Sequence, residues 1–173
     1  PRIAAEHFGD QNYDVLRGQL EIERATFWSH WKDLDTFISP RRARFFVTDT
    51  NKGERRNREI INSTASTAVR TLANGMQSGL TSPGRPWFRL TTTDPKLSDM
   101  NDVKDWLHDV TTRMSTTMLR TNLYKELYLF YKQLATYGTA CLFMEEDAER
   151  VAFFRLLPIG SYTIGNDSQN RAR

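Results

Sequence analysis

LYKELYLFYKQLATYGTACLFMEEDAERVAFFRLL, Leu123 to Leu157, changes its period at Gly138. Before that glycine, Leu123, Leu127, Phe130, Leu134 and Tyr137 recur at the spacing of one helix face. Gly138 stops the pattern. After it come two short apolar runs, Thr139–Met144 and Val151–Leu157, on either side of an acidic turn, Glu145-Glu146-Asp147. That arrangement reads as a β-hairpin. Helical patterns fill the chain before this point, so the order is helices first and strands later. The expected class is α+β, helix-rich, with a short antiparallel β element near the C-terminal end.

Working upstream, Asn122 interrupts the periodicity and is the expected cap of that helix. Val103, Trp106, Leu107, Val110, Met114 and Met118 mark the face of an earlier helix, whose N-cap is Ser98 or Asp99. Phe88 to Thr92 is a candidate strand ending at Asp94-Pro95. A helix spans roughly Arg55 to Ser78, with Ile60, Ile61, Ala65, Ala68, Val69, Leu72 and Met76 on its apolar and small positions. Its many serines and threonines give it weak propensity. Its small side chains predict a helix buried among others. Further upstream, Tyr13, Leu16, Leu20, Phe27, Trp31, Leu34 and Ile38 trace one helix from Asp10 to Ile38, weakest at Gly18 and ended by Ser39-Pro40. Phe27, Trp28, Trp31 and Phe37 require a large partner surface. Phe45-Phe46-Val47 is a brief strand or an anchor. These readings divide the chain into an N-terminal helical arm (1–40), a helical core (41–137) and a β-hairpin region (138–173). The missing initiator Met and the polar ending NDSQNRAR read as part of a longer protein.

The stretch GMQSGLTSPGRPWFRL, Gly75 to Leu90, joins two of the predicted helices. Gly79 is read as the terminating residue. Pro83 and Pro86 set the path of the chain, and Trp87 and Phe88 pin it to a packed surface. Trp87→Ala is therefore expected to cost about 3–5 kcal/mol, and Arg85→Ala no more than about 0.5.

Composition narrows the function. The 173 residues are 39% apolar, below the roughly 45–50% usual for soluble domains. Much of the surface is therefore polar, or packs against something else. The net charge of +3 does not by itself imply a polyanion partner. Its distribution is uneven, however. Residues 41–58 carry Arg41, Arg42, Arg44, Lys52, Arg55, Arg56 and Arg58 against Asp49 and Glu54, a local excess of five positive charges. Such a band suits phosphate, or serves as a solvated flank. No apolar run approaches the roughly 20 residues that span a bilayer. The single cysteine, Cys141, excludes an intrachain disulfide and lies in an apolar run, as a structural thiol does. The histidines His7, His30 and His108 form no metal-ligand pattern. The chain has no nucleophile elbow, Walker loop or dinucleotide fingerprint. The acidic turn at 145–149 reads as a solvated hairpin tip. The expectation is a non-enzymatic protein with no catalytic, cofactor or metal residues. Two activities are left: assembly, or nucleic-acid binding through the 41–58 band.

Trp28-x-x-Trp31, Phe37-Ile38-x-Pro40, the Ile60–Ala73 helix and LANGMQSGLTSPGRPWF together resemble the bacteriophage head-to-tail connecting proteins, the portal proteins of short-tailed phages. WLHDVTTRM, NLYKELYLFYKQL and YGTACLFMEED follow in the same order and spacing, so the resemblance covers about residues 10–165. It implies a virion protein assembled in the host cytoplasm. It further implies a ring, usually a dodecamer, at one capsid vertex, contacting capsid protein, packaging motor and tail or adaptor proteins. Double-stranded DNA would pass through its channel during packaging and ejection, and no membrane would be involved. The present residues would form mainly the wing of such a subunit. Trp28, Trp31, Phe37, Gly79, Pro83, Pro86, Trp87 and Phe88 are then the expected interface or structural anchors. The seven basic residues of 41–58 are the expected DNA contacts.

Overall fold

A computed structural model describes residues 13–39 and 60–166. The described residues form six helices and one two-stranded antiparallel sheet, so the fold is α+β. The chain divides into two compact units, Pro1–Ile61 with Pro158–Arg173, and Asn62–Leu157.

In the first unit the expected single helix is two: α1, Tyr13–Ala25, and α2, Trp28–Ile38. The break falls at Thr26-Phe27, eight residues beyond Gly18. The Thr26 and Phe27 amides donate to the carbonyls of Glu23 and Arg24 (3.2 and 3.0 Å), three residues back instead of four. The Thr26 hydroxyl also donates to the Glu23 carbonyl at 2.7 Å. This β-branched residue therefore ends α1 with its own side chain. The Trp31 amide donating to the Phe27 carbonyl opens α2. Gly18 is accommodated, with open space where a Cβ would sit.

Trp31, Asp35 and Ser39 are buried at four-residue steps, so one stripe of α2 faces inward. Phe27 stacks on Trp31 at 5.7 Å. The Arg24 guanidinium lies 5.8 Å from the Trp28 ring centroid and donates to the carbonyls of Gly160 (2.8 Å) and Tyr162 (3.4 Å). One arginine thus ties α1 to the turn that follows Pro158, beside the buried Ile159. On the outer face Arg17 and Glu21 pair at 2.9 Å. The hydrogen bond and charge of Arg17 hold the Glu21 carboxyl below its ordinary range. Both groups are solvated, so the pair contributes little.

The second unit is built around α6, Leu123–Tyr137. This helix packs on α3 (Thr64–Leu80), on α5 (Asn101–Arg120) and on both strands, β1 (Cys141–Asp147) and β2 (Val151–Leu157). Its inward positions are Leu123, Tyr131, Gln133 and Thr136. Ala73 of α3 is completely buried, and its single methyl lets α3 approach closely. Gly138 has φ +75, the left-handed cap that its lack of a Cβ permits, and its amide donates to the Leu134 carbonyl.

Several boundaries differ from the sequence reading. Of the helix expected over Arg55–Ser78, residues 55–59 lie outside the described residues, and α3 begins at Thr64. Asn62 Oδ1 accepts from the Thr64 amide (2.8 Å) and hydroxyl (2.5 Å), an Asx turn that competes with helix. Ile60 and Ile61 fall outside the helix, and Ile61 is fully exposed. Nor is α3 enclosed: Ala73 is its one buried residue. Phe88–Thr92 forms no strand ladder. The helix expected to start at Ser98 or Asp99 is preceded by a short helix α4, Pro95–Asp99, and α5 itself starts at Asn101. Asp94 caps α4 by accepting from the Lys96 amide at 2.9 Å, and Pro95 follows at a position where its missing N–H costs nothing. The acidic residues 145–147 belong to β1. The hairpin tip is Ala148–Arg150, held by Asp147 Oδ1, which accepts from the amides of Glu149 and Arg150.

Candidate functional site

Gly75 to Leu90 leaves the end of α3 and crosses the surface of the second unit. Gly79 does not end the helix. It lies in the last turn, α3 continues to Leu80, and Thr81 is the cap residue. Arg85 closes that end. Its Nη2 donates to the carbonyls of Ser78 (3.1 Å) and Gly79 (2.9 Å), two of the acceptors a helix C-terminus leaves open. A guanidinium there also opposes the negative end of the helix dipole.

Two tyrosines of α6 hold the rest of the path. Tyr131 Oη and Thr81 Oγ1 lie 3.1 Å apart in a buried pair. Trp87 Nε1 donates to Tyr124 Oη at 3.2 Å, and Gln77 Nε2 donates to the Tyr124 carbonyl at 2.8 Å. Tyr124 and Tyr131 are seven residues apart, two helix turns, so both project from one stripe. The Leu90 amide then donates to Thr111 Oγ1 on α5. The connection is therefore fixed at its beginning, middle and end by side chains of α5 and α6.

Trp87 and Phe88 meet edge to face at 4.9 Å. Trp87 keeps 36% of its surface exposed, and Phe88 is half-buried. Pro83 and Pro86 are exposed. Of the N-terminal aromatics, Trp31 is buried, Trp28 is half-buried against Arg24 and Phe37 is 50% exposed. The sequence-selected aromatics thus occupy two kinds of place, interior and surface. The structure brings Trp87 and Phe88 together. Trp28, Trp31 and Phe37 lie together on α2, in the other unit. Arg41, Arg42, Arg44, Lys52, Arg55, Arg56 and Arg58 lie outside the described residues.

Thr81, Tyr124 and Tyr131 were not singled out from sequence, and Arg85 was named only as a surface residue of little cost. A signal was present for each. An arginine a few residues past a helix is a common carbonyl cap. Tyrosines at a two-turn spacing on an apolar face need partners for their hydroxyls.

Among the described residues no group of three or more His, Cys, Asp or Glu is placed to hold a metal ion. Cys141 is half-buried at the start of β1. A shallow open depression on α3 is lined by Ser63, Thr64, Thr67, Ala68, Thr71 and Leu72, with no titratable side chain. No helix among the described residues is long and apolar enough to cross a membrane. Apolar groups are abundant at the surface of the second unit, including Leu72, Trp106, Phe143 and Met144.

This chain of pinned turns and surface aromatics has close relatives. A "Probable portal protein" of Bordetella phage BPP-1 is 43% identical over 154 residues, 89% of this chain and 28% of the relative. A "Portal protein" of Salmonella phage epsilon15 is 46% identical over 148 residues, 86% of this chain and 27% of the relative. The chain thus spans about a quarter of the length of these curated relatives. The family model described as "Bacteriophage head to tail connecting protein" matches residues 11–172. With a match over nearly its whole length, the chain belongs to the bacteriophage head to tail connecting protein family.

Proposed function

We propose that these residues are the wing-forming N-terminal part of a portal subunit. The full subunit assembles as a ring of twelve at one capsid vertex of a short-tailed phage. The ring is the channel through which double-stranded DNA is packaged and ejected, and the docking place for packaging motor, capsid protein and tail or adaptor proteins. Assembly takes place in the host cytoplasm, and the subunit has no catalytic residues. The observation that carries this reading is the 43–46% identity to proteins named as portals, sustained over 86–89% of the chain.

The geometry supports an assembly role. A ring interface needs exposed apolar and aromatic anchors on a rigid frame, because closure requires one fixed rotation between neighbours. Phe37 and Trp87 present such rings, and the hydrogen bond Tyr124 accepts from Trp87, the Tyr131–Thr81 pair and the Arg85 cap fix the segment that carries Trp87. Trp28, Trp31, Gly79, Pro83, Pro86 and Phe88 are the remaining proposed structural anchors. The basic 41–58 band is assigned to the DNA.

Native mass measurement and particle imaging of the full-length portal polypeptide test this reading. Closed rings are expected, with twelvefold symmetry at the vertex. A full-length protein that stays monomeric at high concentration, with no ring in assembled particles, overturns it.

A further inference from the structure

The two edges of the hairpin are treated differently. β1 and β2 pair antiparallel with Met144 opposite Phe154 and Leu142 opposite Leu156. On the β2 side, Asn122 acts as a substitute peptide group. Its Oδ1 accepts from the Phe154 amide (2.8 Å) and its Nδ2 donates to the Phe154 carbonyl (2.6 Å). Glu126 Oε2 accepts from the Leu156 amide at 3.2 Å. The outward backbone of β2 is therefore occupied by side chains at the start of α6.

The same bonds fix the phase of the ladder. Phe154 and Leu156 point their backbone groups away from β1, so their partners Met144 and Leu142 point theirs away from β2. Glu146, opposite Ala152, follows in the same phase. Leu142, Met144 and Glu146 thus turn their N–H and C=O groups to the outer side of β1, where no helix among the described residues supplies partners. Beside this edge Phe143 is 49% exposed and Met144 63% exposed, one on each face of the sheet. A two-stranded sheet is marginal by itself, and an open edge flanked by apolar side chains is a template for another strand.

We infer that the open edge of β1 receives a third strand from the part of the portal subunit that lies outside these 173 residues. The inference rests on the proposed portal function. It is motivated by length: the matched region is only 27–28% of the curated relatives, so most of a portal polypeptide is available to supply the strand. The chemistry of the edge defines the occupant. An extended segment with apolar residues on both faces covers Leu142, Phe143 and Met144. A cationic residue at one end meets Glu146, since Glu145 is already bridged to Arg155 at 3.3 Å. Backbone pairing provides affinity, and the alternating side chains provide register.

Site-resolved hydrogen exchange on the full-length portal polypeptide, as unassembled subunit and as ring, tests the inference. The amides of Leu142, Met144 and Glu146 should exchange on the order of a hundredfold more slowly than open amides in both states. Exchange at the open rate in both states overturns the inference. Protection that appears only in the ring also overturns it, and assigns the edge to a second subunit. Failure of the portal reading is separate, because it shows as absence of rings whatever the exchange pattern.

Discussion

Val151 is the one described non-glycine residue with positive φ, at +72. A branched side chain in that region crowds its own carbonyl and costs roughly 1–2 kcal/mol. The tip demands it: Asp147 holds the Glu149 and Arg150 amides, and the chain must then turn back into β2. Val151 is 66% exposed, so little burial offsets the strain. Val151→Asn keeps the turn and tolerates the left-handed angle. It should raise unfolding free energy by about 1 kcal/mol in denaturant titration, and an unchanged midpoint would show that the strain is negligible. Arg85 and Trp87 are the second residue-scale test. Sequence reasoning separated them widely. The structure draws them together, because Arg85 closes a helix end and Trp87 is only partly covered. Arg85→Ala should cost about 0.3–1 kcal/mol, the usual worth of a cation at a helix C-terminus. Trp87→Ala should fall to about 2 kcal/mol, below the 3–5 of a fully buried aromatic. Thermal melts of the two variants decide the matter. A Trp87→Ala loss of about 3 kcal/mol or more, with an Arg85→Ala loss within about 0.3, would restore the sequence-based magnitudes.

At the scale of elements, α6 and the hairpin are the joint on which the second unit depends, and Asn122 is its fastener. Its amide both accepts from and donates to Phe154, a buried residue. Asn122→Ala leaves both backbone groups without partners. Each buried unsatisfied group costs about 1–3 kcal/mol. Asn122→Asp should not rescue, since a carboxylate would face the Phe154 carbonyl with a second acceptor. Chemical denaturation of both variants checks this, and a wild-type midpoint for either sinks the argument. This joint also marks how far the sequence could be read. The period change at Gly138 made the class legible, since spacing alone distinguishes a helix face from paired strands. Asn122 was legible as a boundary, but not as a clamp on a strand 32 residues away, because that pairing leaves no local pattern. Failures of the same kind occurred at Thr26, where one hydroxyl divided a continuous apolar stripe, and at Asn62, where an Asx turn delayed α3. In each case a short polar side chain outcompeted the helix at one residue, which a periodicity spread over many residues does not register. The turn at 75–90 was legible as a shaped connection. Its tyrosine fastenings were not, because they depend on which face of α6 meets α3, whereas the Arg85 cap is local to the end of α3.

At the scale of the whole molecule, the proposed portal role would require tight subunit contacts and loose contact with DNA. The charge distribution fits that division. The chain as a whole is nearly neutral, and the excess of five positive charges is confined to residues 41–58. On the proposed portal reading, a small basic band would attract DNA weakly enough for salt to screen it, while apolar ring contacts would be insensitive to salt. The two functions should therefore separate by mutation. Replacing Arg41, Arg42 and Arg44 with alanine in the full-length portal polypeptide should leave ring formation intact. It should also flatten the dependence of DNA affinity on salt, by about 0.9 in the log–log slope for each phosphate that is no longer neutralised. Phe37→Asp should do the reverse, lowering the yield of rings while the salt slope of the remaining rings stays unchanged. Filter binding at several salt concentrations, together with native mass measurement, gives both readouts on the same preparations. An unchanged slope in the triple arginine variant removes the 41–58 band from the DNA path, and an unchanged ring yield in Phe37→Asp removes Phe37 from the interface.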